Sequence, residues 1–125
     1  MEKQRIDMVS AKKYGPYSAG VKSNGIVWLR GQIAPEAGDG VQAQTSAVLA
    51  KIDELLSAAN LSKHEICFAQ ILLADIDDFA AMNEIYGAWI EAVKIKPARA
   101  AFAAAGLPAN ARVEIVVQGI DNNSQ

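Results

Sequence analysis

Apolar positions in this chain fall into short β-prone runs and longer stretches of helical period, and the two kinds predict different elements. Tyr17–Lys22 and Ile26–Gly31 read as strands joined at Ser23-Asn24-Gly25. Asn-Gly between extended segments is the strongest short-range signal for a hairpin. Tyr14-Gly15-Pro16 predicts a turn before them and residues 34–40 a loop after them. Val41, Val48, Ile52, Leu55, Leu56 and Ala59 then recur at helical spacing, with Gln44, Lys51 and Asp53 on the wet side. Asp39 is placed to cap this helix with Gln42 as its capping-box partner, and Asn60 suits a left-handed end. Ser62-Lys63-His64-Glu65 repeats the capping-box pattern with room for one turn. Ile66–Ala74, apolar except at Gln70, reads as a buried strand. Asp75, Asp77 and Asp78 open a second helix whose inward stripe is Phe79, Met82, Tyr86, Trp89 and Val93, ended by Pro97. Arg99–Ala104 and Arg112–Gly119 make a final pair of strands around the loop at 106–110.

The order is β-β-α-β-α-β-β, an α+β pattern within a single domain spanning 1–125, with an extra N-terminal strand near Ile6–Val9. Two amphipathic helices can cover one face of such a sheet. The other face carries Ile26, Trp28, Phe68, Leu72 and Val116, too apolar to be left wet. Self-association through that face is the economical expectation, because most assemblies are symmetric homo-oligomers.

Composition narrows the class. The 125 residues are 51% hydrophobic and 21% charged with a net charge of −2, which argues against disorder and against a strongly basic nucleic-acid binder. No apolar run approaches the roughly 20 residues of a membrane helix, and no apolar signal core follows Met1-Glu2-Lys3. With one cysteine, Cys67, a reducing, cytoplasmic location is expected. One His and one Cys cannot build a His/Cys zinc site, so no such metal site is expected. His64 reads as a solvated surface residue, Cys67 as a buried inert thiol, and the three aspartates as helix-capping acids without the pattern of a calcium loop. Two charges stand out. Glu114 interrupts Val113–Val117 on the face opposite Val113, Ile115 and Val117, and Arg99 opens an Ala/Phe strand. A charge in an apolar strand is costly unless it is paired, exposed or used.

Gly15-Pro16-Tyr17-Ser18, Gly31-Gln32-Ile33, Asp77-Asp78-Phe79-Ala80-Ala81-Met82-Asn83, Lys96-Pro97-Ala98-Arg99, Leu107-Pro108 and Val113-Glu114-Ile115 occur in one register. Together they make residues 14–120 resemble the RidA/YjgF family of enamine/imine deaminases, also called endoribonuclease L-PSP-like proteins. The resemblance implies a chorismate-mutase-like subunit and a homotrimer with clefts between subunits. It also implies cofactor-free hydrolysis of 2-imino acids, such as 2-iminopropanoate and 2-iminobutanoate, to 2-oxo acids and ammonia. Arg99 matches the arginine that holds the substrate carboxylate, and Glu114 the glutamate that positions and activates water. Tyr17 matches the aromatic lining the cleft, Gly31 a glycine whose backbone approaches the ligand, and Ala101 a position that offers mainly backbone contacts. Two departures stand beside these matches. Arg30 occupies a position where the family commonly has Ser, and so either binds a second carboxylate or neutralises Glu114. After Arg99 the chain reads Ala-Ala-Phe-Ala-Ala-Ala-Gly, without the family's acid.

A second reading keeps the same residues in a non-catalytic protein that binds small carboxylates such as 2-oxo acids. RNA cleavage, suggested by the family's other name, is disfavoured by the acidic balance and the absence of a His pair.

Overall fold

The structure, a computed structural model, describes residues 2–8 and 16–122; most of the expected Tyr14-Gly15-Pro16 turn, and Val9, lie outside them. Strands β1 (Gln4–Ile6), β2 (Gly20–Ser23) and β3 (Ile26–Leu29) precede helix α1 (Val41–Ala58). Strand β4 (Ile66–Leu73), helix α2 (Phe79–Ile90) and strands β5 (Ala98–Ala103) and β6 (Val113–Ile120) follow. They form an α+β fold whose six strands lie in the order β1-β2-β3-β6-β4-β5, all neighbours antiparallel except β4 and β5. The β2–β3 hairpin turns through Asn24 (φ 52°) and Gly25 (φ 80°), the left-handed pair that Asn-Gly supplies at little cost.

The last two strands do not pair with each other, contrary to the sequence expectation. β6 enters the centre of the sheet between β3 and β4, and β5 takes the outer edge beside β4. Burial accounts for the choice. Val113, Ile115 and Val117 are almost fully buried and need neighbours on both sides, whereas alanine-rich β5 has little to bury and tolerates an edge. Helix α2 supplies the long crossover that parallel pairing of β4 and β5 requires.

Both helices cover one face of the sheet. Val48, Leu49, Ile52, Leu55, Leu56, Met82, Tyr86 and Ile90 meet Val27, Leu29, Ala69, Ile71, Leu73 and the odd positions of β6 in one core. Helix α1 begins on Gly40, with no side-chain cap from Asp39. Gln44 serves the same region from inside. Expected on the wet side, it is buried, donates to the Gly38 carbonyl (2.6 Å) and accepts from the Arg112 amide (2.8 Å). The Ser62–Glu65 capping box and the left-handed Asn60 form as expected. Asp75 caps a 3-10 turn at Ile76–Asp78 that leads into α2, and α2 stops at Ile90, well before Pro97. Asp78 receives both Nε and Nη2 of Arg112 (3.1 and 2.7 Å), which ties the start of β6 to the start of α2.

Cys67 departs from its expected burial. A register shift between Ile66 and Phe68 turns the thiol outward, so it is exposed. Opposite this bulge a side chain on Gly119 would stand 2.6 Å from the Glu65 carbonyl oxygen, so only glycine fits there. No helix among the described residues is long and apolar enough to cross a membrane.

Candidate functional site

The sheet face away from the helices is apolar at its centre. Strand registers place Ile26, Trp28, Phe68, Leu72, Val116, Phe102 and Ile120 together on it. Trp28 and Phe102 are 39% and 42% exposed, values high for large apolar side chains on a sheet face. Into this face projects Glu114, in register with Leu72 and through it with Phe102. Alternation on β6 leaves its side chain no other direction, since Val113 and Ile115 occupy the core side. Among the described residues the Glu114 carboxylate accepts no hydrogen bond and joins no ion pair. Burial, with no compensating charge, pushes its pKa above the ordinary carboxylate value.

Gly31 holds this carboxylate in place by having no side chain. A Cβ there would lie 2.2 Å from Glu114 Oε2 and 3.0 Å from its Cδ. The short ladder between Gln32 and Ile115, closed by reciprocal backbone bonds of 2.9 and 3.1 Å, fixes Gly31 against Glu114. Gly31→Ala is therefore expected to fold, because the clashing atoms end a flexible side chain, but to swing the carboxylate aside. A displacement near 1 Å costs about 100-fold in a positioned reaction. A turnover assay paired with a melting curve checks this, the expected outcome being lost rate with little change in Tm.

Arg30 precedes this glycine, and its guanidinium stands 6.0 Å from the centre of the Tyr17 ring. Its backbone amide donates to Ala19 (2.9 Å) and its carbonyl accepts from Gln32 Nε2 (3.3 Å), so the main chain here is well fixed. No ion pair joins Arg30 to Glu114, and burial alone accounts for the raised Glu114 pKa. Neutralisation of Glu114 by Arg30, one of the two readings of this residue, is thus not what the chain does. Arg30 thus stands beside Tyr17 and Gly31 beside Glu114, the two pairs joined through the consecutive residues Arg30 and Gly31.

Arg99 belongs to a different group. It is in register with Ala69, so it points to the helix side of the sheet at the β5 edge. Its guanidinium lies 5.1 Å from the Tyr86 ring centre and 5.7 Å from that of Phe79, and Nη1 donates to Asn83 Oδ1 at 2.6 Å. Phe79, Asn83 and Tyr86 recur at helical spacing on α2, which makes one shelf of them. The aromatic faces favour the cation, while the rest of the exposed fork stays open to a ligand. Burial raises the Tyr86 pKa, with the Arg99 charge working against it, so the phenol stays neutral. Ala101 lies on the same side, beside Ile71, with no functional side chain to offer.

The hairpin-like pairing that would have brought Arg99 and Glu114 together is absent. Arg99 aligns through Ala69 with Val117, two strands away and three residues along from Glu114. At about 4.8 Å per strand and 3.3 Å per residue, their backbones are about 14 Å apart. Their side chains leave opposite faces of the sheet. Within one copy the two groups therefore serve opposite sides of the sheet.

Asn83, which orients Arg99, is not singled out by the sequence pattern, and Phe79 and Tyr86, expected as core residues, also line this shelf. Their shared spacing with Asn83 was the available signal. His64 is exposed as expected. Among the described residues no three His, Cys, Asp or Glu side chains converge to hold a metal ion.

A family model described as endoribonuclease L-PSP matches residues 8–120. The chloroplastic Reactive Intermediate Deaminase A of Arabidopsis thaliana is 37% identical over 87% of this chain and 63% of its own length. The 2-iminobutanoate/2-iminopropanoate deaminase of Capra hircus is 38% identical, over 84% of this chain and 82% of its own. Among solved structures, E. coli TdcF with bound serine is similar with a TM-score of 0.85 and 28% identity, covering 95% of this chain and 99% of that one.

Proposed function

Because the chain belongs to the RidA/YjgF family, we propose that it hydrolyses small 2-imino acids to 2-oxo acids and ammonia. The observation that carries this reading is the half-buried, unpaired Glu114 carboxylate held over Gly31. A base works best when its pKa lies nearer the working pH, and burial moves Glu114 in that direction. Its carboxylate orients a water whose oxygen attacks the imine carbon and takes the water proton as the C–O bond forms. That proton passes to the nitrogen to give a carbinolamine; the carbinolamine hydroxyl then gives its own proton, by way of the same carboxylate, to the amino group, and the C–N bond breaks as the carbonyl forms and ammonia leaves.

Arg99 holds the substrate carboxylate through two charge-assisted hydrogen bonds from its fork. Since Arg99 and Glu114 leave opposite faces, the site is completed between copies, Arg99 from one and Glu114, Gly31 and Tyr17 from another. A homotrimer with a cleft at each interface suits this arrangement and covers Trp28, Phe102 and the apolar face between them. The reaction needs no cofactor, because water is the nucleophile and no electrons are exchanged.

The test is imine clearance. 2-Iminopropanoate is generated in situ by an amino-acid oxidase and trapped with semicarbazide, with and without the protein. Suppression of the adduct is the expected result. Undiminished adduct, together with calorimetric binding of 2-oxo acids, would instead favour the non-catalytic carboxylate binder.

A further inference from the structure

We propose that Arg30 is a second anion-binding point in the same site, making the preferred substrates 2-imino acids that carry a second carboxylate. The inference names a substrate class for the deaminase reading and rests on it. Its starting point is an orphan. Arg30 Nη1 is buried and has no hydrogen-bond partner, the one such side-chain atom among the described residues. A buried donor without an acceptor is costly, and in a native protein it calls for a partner. The available carboxylate on the same face, Glu114, is not that partner, because no ion pair joins the two. Among the described residues this donor has no acceptor, which leaves it available to a ligand's anionic group.

Position and chemistry identify the acceptor. Arg30 and Gly31 are consecutive, so their Cα atoms are about 3.8 Å apart, and Gly31 carries the Glu114 carboxylate directly above it. Arg30 is thus the chain neighbour of the residue over which the Glu114 carboxylate lies. The ring of Tyr17 beside the Arg30 guanidinium limits how far it can swing. A monocarboxylate such as 2-iminopropanoate uses its single anionic group on Arg99 and offers Arg30 only a methyl. A 2-iminobutanedioate or 2-iminopentanedioate presents a carboxylate one or two methylenes beyond the reacting carbon, matched to a planar guanidinium fork. A site built to hydrogen-bond a substrate group discriminates against the analogue lacking it, because its own polar atoms are then left unpaired.

Three imines test this: 2-iminopropanoate, 2-iminobutanedioate and 2-iminopentanedioate, each made from its amino acid by an oxidase. Clearance is measured for the wild-type protein, Arg30→Met and Arg30→Lys, and each result is the ratio of dicarboxylate to monocarboxylate kcat/KM. The expected ratio exceeds one for wild type, falls at least tenfold in Arg30→Met and lies between these in Arg30→Lys. Taking ratios removes general losses of fold or assembly. Clearance of 2-iminopropanoate with an unchanged ratio in Arg30→Met overturns the proposal and leaves the deaminase reading standing. That would also be the result if Arg30 Nη1 finds its acceptor on a neighbouring copy. If no imine is cleared, the deaminase reading fails, and calorimetry with 2-oxopentanedioate and 2-oxobutanoate decides the rest. Tighter binding of the dicarboxylate, lost in Arg30→Met, supports the second anion point. Equal binding in both proteins refutes it.

Discussion

Arg99→Ala is expected to reduce imine clearance to background while the protein keeps its fold and assembly. Two hydrogen bonds from a charged group to the substrate carboxylate are worth about 1.5–3 kcal/mol each. Their loss corresponds to roughly 10²–10⁴-fold in kcat/KM. The fold should survive, because Arg99 is exposed on an edge strand and its ties are to Asn83 and to two ring faces of α2. Exposed substitutions of this kind usually shift stability by no more than about 0.5 kcal/mol, with some further loss of packing on the rings. Arg99→Lys should recover little, since an ammonium has no fork to grip a carboxylate at two points. Rates and melting curves measured on the same preparations check both halves. A variant that stays active would remove Arg99 from the site.

Glu114→Gln should separate activity from stability in the opposite way. Turnover should fall by about 10²–10⁴-fold, the usual contribution of a positioned base. Stability at neutral pH should rise. Burial lifts the Glu114 pKa in the folded chain above its unfolded value near 4.5. The folded state therefore holds its proton more tightly. This favours the fold below about pH 4.5, and the advantage is lost as pH rises through the raised pKa. At pH 7 the ionised carboxylate is a burden that glutamine does not carry. The Tm gap between variant and wild type should accordingly be positive at pH 7 and shrink toward pH 4. The wild-type rate should fall on the acid side through a pKa above the ordinary carboxylate value. A gap that widens on acidification would mean that the Glu114 pKa is lowered, not raised.

Much of the scaffold was legible in the residues because local rules and tertiary packing agree. Asn24-Gly25 fixed the hairpin, Ser62 and Glu65 the single capped turn, and alternation over Val113–Val117 the face of Glu114. What stayed hidden depends on contacts distant in sequence. β6 lies between β3 and β4 because its apolar side needs two neighbours, a demand that no local pattern around 106–110 expresses. Gln44 is buried because Gly38 and Arg112 take both ends of its amide, and neither partnership shows in helical periodicity. Cys67 is exposed by a bulge that lies opposite the tight approach of Gly119 to Glu65, a contact spanning more than fifty residues of sequence.

The candidate site follows the same division. Family likeness picked out Arg99, Glu114, Tyr17 and Gly31, and the uncovered apolar face was readable from Trp28, Phe68 and Val116 alone. That Arg99 and Glu114 leave opposite faces, and that Asn83 orients Arg99, required the strand registers and the placement of α2.

The central claim is that Arg99 and Glu114 act together from different copies, and mixing two inactive variants tests it most directly. Arg99→Ala and Glu114→Gln are unfolded together, refolded as an equimolar mixture, and assayed for 2-iminopropanoate clearance beside each variant refolded alone. In a symmetric oligomer with random assortment, about one quarter of the interfaces pair an intact Arg99 with an intact Glu114. Recovery of about a quarter of the wild-type rate is the predicted result. A mixture as inactive as its components, while mass measurement shows that mixed oligomers have formed, would contradict a site shared between copies.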